Sequence, residues 1–163
     1  MQNEFSVYQH ERVFEWLKKK GVSSEVVMWC RNAQIEFDDI LDKWWPVREG
    51  GVDAILLPVY DRQLVNVIDI VAFQPSKPDK WWLRAGVGEM LGWDIEEKRT
   101  YREPLRVHAT PLEWVLSDME GCCPLTEEAD CMFLDIPEII AAPVVYERIR
   151  KTLEKRLPKR KAG

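Results

Sequence analysis

The chain has 163 residues, enough for one domain that buries roughly two thirds of the surface its unfolded form would expose. With 46% hydrophobic and 31% charged residues it has a globular balance, which excludes a disordered or collagen-like chain. The net charge of −5 is unevenly spread: Arg148, Arg150, Lys151, Lys155, Arg156, Lys159, Arg160 and Lys161 face Glu154 alone at the C-terminal end, so the body is strongly acidic.

Taken along the chain, Val13, Phe14, Trp16 and Leu17 fall at helical spacing and predict an amphipathic helix from Glu11 to Lys20, stopped by Gly21. Ser23 or Ser24 caps a second helix through Val26, Val27, Trp29 and Cys30. Gln34 to Phe37 reads as a short strand. Asp38 or Asp39 then caps a short helix carrying Ile40, Leu41 and Trp44, which ends near Pro46 and Gly50. Ala54 to Tyr60 and Val65 to Phe73 are apolar and β-branched, and a polar turn at Asp61-Arg62-Gln63 joins them. Pro58 donates no hydrogen bond, so the first of these strands is an edge there, or bulged. Gln74 to Lys80 is a turn, and Trp81-Trp82-Leu83-Arg84 a third strand. Val87 to Trp93 reads as a short helix, followed by a charged linker to Pro104 and a strand at Leu105 to His108. Thr110 caps a helix with Pro111 at its first position, running towards Gly121. Cys131 to Leu134 is a short strand, and Ile139 to Leu157 a last helix, interrupted or not at Pro143. The expected fold class is α+β: N-terminal helices, a central antiparallel β-meander and a C-terminal helix. Residues 1–163 form one domain, with Pro158 setting off the basic tail 158–163.

No apolar run reaches the ~20 residues that span a bilayer, and polar Met1-Gln2-Asn3-Glu4 is unlike a secretory leader. A cytoplasmic protein with no membrane contact is expected, with Cys30, Cys122, Cys123 and Cys131 as free thiols. There is no C-x-x-C, and His10 and His108 lie far apart, so no metal is expected. Gly86-Val87-Gly88-Glu89-Met90-Leu91-Gly92 is one residue too long for the dinucleotide fingerprint and follows a meander, not a βαβ strand; no cofactor is expected. No nucleophile, base and orienter stand in a familiar pattern, so no catalytic residue is assigned.

Binding candidates come from residue types out of place. Asp69 interrupts Val67-Ile68-Asp69-Ile70-Val71 and shares a face with Val67 and Val71; if that face is buried its carboxylate needs a partner, Arg84 on the next strand being one candidate, and the plain alternative is a solvated side of the sheet or a structural ion pair. Trp44-Trp45 and Trp81-Trp82 are pairs of neighbours. On a strand, one of Trp81 and Trp82 turns outward, where it packs against the body or offers a ring to a base or a protein partner. Lys159, Arg160 and Lys161 complete the set as a phosphate-binding arm, the plain alternative being a solvated end.

Ile55-Leu56-Leu57-Pro58-Val59-Tyr60-Asp61, a polar turn, and Val67-Ile68-Asp69-Ile70-Val71-Ala72-Phe73 resemble the hairpin that precedes the Toprim catalytic core of bacterial and phage primases. Trp81-Trp82-Leu83-Arg84 and the segment from Arg106 to Trp114 are similar to stretches in phage and prophage proteins of that kind. The chain has no D-x-D, and Glu120-Gly121 is followed by Cys122-Cys123, so no catalytic residue carries over from the family. The resemblance implies a non-catalytic accessory module of a mobile element, tied to nucleic-acid metabolism. The rival expectation is a protein-interaction or structural module with an exposed tryptophan patch, and a third is an enzyme whose site is assembled from scattered acids.

Overall fold

The computed structural model describes residues 1–9 and 11–156. His10 and the tail residues Lys159, Arg160 and Lys161 lie outside the described residues. The chain is α+β, and its centre is a closed five-stranded barrel rather than a simple meander. The strands are β1 (Arg31–Asp38), β2 (Lys43–Pro46), β3 (Val52–Tyr60), β4 (Val67–Gln74) and β5 (Lys77–Leu83). The expected meander is present, with β3, β4 and β5 pairing antiparallel and Trp82 opposite Ala72. What closes it is a second hairpin. β1 pairs antiparallel with both β2 and β3, and β2 meets β5 in a parallel contact at Lys43 and Leu83.

The predicted helix through Ile40 and Trp44 is therefore strand β2. Asp38 does bind the backbone that follows it, accepting from the N–H groups of Ile40 (2.7 Å) and Leu41 (3.0 Å). That makes a turn instead of a helix start, because Asp42 takes a left-handed conformation (φ 51°) and sends the chain back. Pro58 fits its expected place, since β1 pairs with β3 only as far as Leu56 and leaves Pro58 beside β4 alone.

Alternation along the strands sorts two cores. Inside the barrel lie Ile35, Trp44, Ala54, Leu56, Ile70, Ala72 and Trp82, the two indoles fitting against the small alanines. Helix α1 (Gln2–Ser6) plugs this barrel with Phe5. Outside it, Ile55, Leu57, Val59, Val71, Phe73 and Leu83 form a second layer against α2 (Glu11–Lys19), α3 (Ser24–Trp29) and α5 (Pro111–Leu116). Both faces of β3 are thus buried, which is why Ala54 to Val59 reads as one apolar run. Ser23 caps α3 and Thr110 caps α5, each accepting the expected backbone N–H.

The C-terminal half corrects three sequence readings. Val87 to Trp93 is a loop leading to the short strand β6 (Met90–Leu91), and the helix starts later, as α4 (Asp94–Tyr101), inside the expected linker. Cys131 to Leu134 is not a strand: Glu128–Phe133 is a 3-10 helix. Ile139–Ala141 is a strand, β9, parallel to β7 (Leu105–Val107), so Pro143 starts the last helix, α6 (Pro143–Arg156), instead of interrupting it. Strand β8 (Cys123–Pro124) pairs with β6. A third core of Trp93, Ile95, Val107, Phe133, Val145 and Ile149 holds this half together. No helix among the described residues is long and apolar enough to cross a membrane.

All four cysteines are free, and Cys30, Cys122 and Cys123 are buried. Burial pushes the Cys30 thiol up to about 12 and raises Cys122 and Cys123 as well. Because the thiolate is the reactive form, the native protein should consume one equivalent of an aromatic disulfide reagent, at partly exposed Cys131. The other three thiols should react only after denaturant is added. Rapid reaction of all four in the native state would show that the barrel and its outer layer open readily.

Candidate functional site

The structure places four of the sequence-predicted site residues, Asp69, Trp81, Trp82 and Arg84, and most of the places are structural. Trp82 points into the barrel, stacked on Phe37 with ring centroids 4.0 Å apart, and its indole N–H donates to Asp39 (2.9 Å). Trp81 points outward as the alternation demands, but it is partly buried and its N–H donates to the carbonyl of Leu125 (3.1 Å). It forms one wall of a cleft of about 540 Å³ whose rim carries Asp42, Asp79, Glu127 and Glu128. Two of these acids already have partners, Lys155 on Glu127 and Arg156 on Glu128. Lys80 lines the cleft too, and with the Trp81 ring partly buried and its N–H bonded, Trp81 is poorly placed to stack a base.

Arg84 does not meet Asp69. Its Nε donates to Glu4 (2.8 Å), which also accepts from the Tyr8 hydroxyl (3.0 Å), and its guanidinium lies over the Trp44 ring. This group seals the end of the barrel where α1 enters. Burial, with Glu4 beside it, pushes the Tyr8 phenol up to about 12.

Asp69 is fully buried on the outer face of β4, as one of the two sequence readings required. Its partners are backbone groups. One carboxylate oxygen accepts from the N–H groups of Ile70 and Ala85 (both 2.8 Å), and the other from Val87 (2.8 Å) and Gly88 (2.9 Å). The carboxylate therefore folds the loop after β5 around itself. Gly88 is glycine because an added Cβ would come within 3.0 Å of both the Asp69 Cβ and Val59. Gly92, the last glycine of the motif, has φ +73°, and a Cβ there would lie 2.3 Å from the Gly121 carbonyl. The glycine-rich segment is thus a loop wrapped on a buried acid, and it delivers the chain to Trp93 and Asp94.

The fold also creates a pairing that no sequence motif announced, Ser117 Oγ against His108 Nε2 at 3.1 Å. Its hydrogen-bond geometry is that of a structural pair. His108 Nε2 also faces the Glu120 carbonyl (2.8 Å), which only accepts, so this nitrogen carries the proton. Ser117 spends its own hydrogen on the Trp114 carbonyl (2.7 Å). The pair caps the turn after α5. Among the described residues no three His, Cys, Asp or Glu side chains gather as a metal site.

The strongest site lies where the barrel meets the C-terminal half. A cavity of about 220 Å³ is lined by Trp29, Pro58, Tyr60, Leu64, Gly92, Trp93, Asp94, Trp114 and Met119. Trp29, the last residue of α3, is half exposed (50%) and meets Tyr60 edge-on, with ring centroids 6.0 Å apart at 75°. The neighbouring Met28, Leu64 and Val65 are exposed as well. Trp93 and Trp114 spend their N–H groups on the backbone, donating to the carbonyls of Tyr60 (2.9 Å) and Gly121 (3.1 Å). Among the described residues Asp94 is the only charged one that lines the cavity. Burial raises its carboxyl, with Glu97 and Glu120 adding to the rise, while the Gly121 N–H that it accepts (3.0 Å) and nearby Lys98 oppose it.

Sequence reasoning placed Trp29 inside a helix core and did not connect it to Trp93 or Trp114, which lie 64 and 85 residues further on. The one available signal was the load of eight tryptophans, more than the paired ones explain. No protein-family model matches the chain, and neither a curated protein nor a solved structure matches it.

Proposed function

We propose that the chain is a binding module that holds a protein partner on the aromatic surface around Trp29. The observation that carries this reading is the half-exposed Trp29, paired edge-on with Tyr60 at the mouth of a cavity walled by two more tryptophans. A folded chain gains by covering a ring of this size, and large aromatics left at a pocket mouth are the usual anchors of protein interfaces. Met28, Leu64 and Val65 extend the apolar surface around it.

Charge favours protein over nucleic acid as the partner. Three of the chain's cations are Lys159, Arg160 and Lys161, so residues 1–156 carry −8 against −5 for the whole. An acidic body with one acid in the pocket repels a phosphate backbone.

A random peptide library displayed on phage and selected on the full chain tests this reading. Peptides sharing a consensus should be enriched on the native protein and lost on Trp29→Ala, whose fold should survive because the ring is half exposed. Equal enrichment on both proteins would overturn the reading. So would tight, salt-dependent binding of a labelled oligonucleotide that Trp29→Ala does not alter.

A further inference from the structure

Resting on that reading, we infer that the cavity recognises a cationic side chain, a lysine or arginine presented by the protein partner, between the aromatic rings and Asp94. The inference follows from what the cavity offers. The indole N–H groups of Trp93 and Trp114 are already bonded to backbone carbonyls. The lining therefore presents aromatic rings, the apolar side chains of Pro58, Leu64 and Met119, and one carboxylate, with no free indole donor from those two rings. Ring faces carry negative potential and attract cations, as a carboxylate does. An anion would meet the Asp94 carboxylate and find no cationic side chain among the lining residues.

Asp94 reinforces the point. One of its oxygens accepts from Gly121, and among the described residues no cation forms a salt bridge with it. It is partly buried, with Glu97 and Glu120 near it on one side of the balance and Lys98 on the other, and burial still disfavours its charge, which an incoming cation would relieve. The molecule already shows what one of the rings accepts: the Arg62 guanidinium lies over Trp93, 5.7 Å from the ring centroid, without lining the cavity. Size sets the limit. At about 220 Å³ the space falls below the roughly 300–1,000 Å³ of pockets that take drug-sized ligands, and it suits the end of a single side chain.

The test compares three capped amino acids on the 15N-labelled full chain: N-acetyl-lysine, N-acetyl-arginine and N-acetyl-norleucine methylamides. Norleucine keeps the apolar stem of lysine and lacks the ammonium. At least one cationic probe should shift the indole N–H signals of the cavity tryptophans saturably, with an affinity about tenfold above that of norleucine. Asp94→Asn should remove this preference with an unchanged thermal midpoint, because the amide oxygen can still accept the Gly121 N–H. Equal binding of norleucine, or a preference that persists in Asp94→Asn, would overturn the inference; so would the absence of a shift with all three probes. Failure here is distinct from failure of the Trp29 surface. A displayed-peptide consensus that depends on Trp29 but carries no lysine or arginine would sink the cation and leave the surface standing.

Discussion

Replacing Asp69 by alanine should cost the protein about 4 kcal/mol, because four backbone N–H groups would lose their acceptor at once. The figure follows from unequal environments. The bonds to Ile70 and Gly88 are buried, so each orphaned N–H costs roughly 1–3 kcal/mol, while those of Ala85 and Val87 are only partly buried and recover some hydration. Asp69→Asn is the sharper variant. It keeps the shape, yet its NH₂ group must face two backbone donors, so it should fall near the alanine variant rather than near wild type. A thermal scan should show both midpoints lowered by roughly 10 °C, as expected for a loss of this size in a domain of this length. The loss should reach the candidate site as well. The loop held by Asp69 runs into β6 and then to Trp93 and Asp94, so loosening it should blur the aromatic cavity. An Asp69→Asn protein with an unchanged midpoint would show that the loop is held by something other than this carboxylate.

Asp69 also marks the boundary of what was legible in the sequence. A lone acid in an apolar run announced a carboxylate that needs a partner if its face is buried; the face is buried, and the alternatives of a solvated face or an ion pair do not hold. The partner was not readable, because the donors are backbone groups of a loop some sixteen to nineteen residues away, and every residue type has such a donor. The meander was legible for a different reason. β3 and β4 are long, β-branched and joined by a short polar turn, so local pattern and pairing coincide. Barrel closure was hidden because it depends on β1 finding β3 across a hairpin, and on Asp38 and Asp42 turning the chain where a capped helix was equally well encoded. Pro143 misled by a related ambiguity, since a proline inside an apolar run marks an interruption or a start, and the preceding Ile139–Ala141 chose a sheet. The aromatic site was the least readable feature. Trp29, Tyr60, Trp93 and Trp114 come from four separate stretches of the chain, and nothing in their local sequence distinguishes a ring at a pocket mouth from a ring in a core.

Removing Arg148 should destabilise the protein in a pH-dependent way. Asp130 on the 3-10 helix is fully buried, with Arg148 (3.3 Å) on one oxygen and the Thr152 hydroxyl (3.3 Å) on the other. Burial raises its carboxyl by more than Arg148 and Thr152 lower it. A folded-state value above the unfolded one fixes the sign. With Asp130 protonated, below the unfolded value of about 3.9, its contribution to stability is fully present. That contribution declines as pH rises through the folded value, because the buried group must then ionise. Arg148→Ala takes away the cation that limits this loss. At pH 7 it should cost about 3 kcal/mol, the lower end of what breaking a buried pair costs, since Arg148 itself is partly exposed. Near pH 4 most of that difference should vanish, leaving only the packing of the arginine stem. Asp130→Asn should behave differently, staying within about 1 kcal/mol of wild type at pH 7, because a neutral amide can still bond Thr152 and needs no cation. The double variant should therefore be more stable at pH 7 than Arg148→Ala alone. Urea unfolding of all four proteins at the two pH values checks this. A loss in Arg148→Ala that is the same at both values, or an Asp130→Asn as unstable as Arg148→Ala, would mean that Arg148 holds α6 to the 3-10 helix by shape and not by charge.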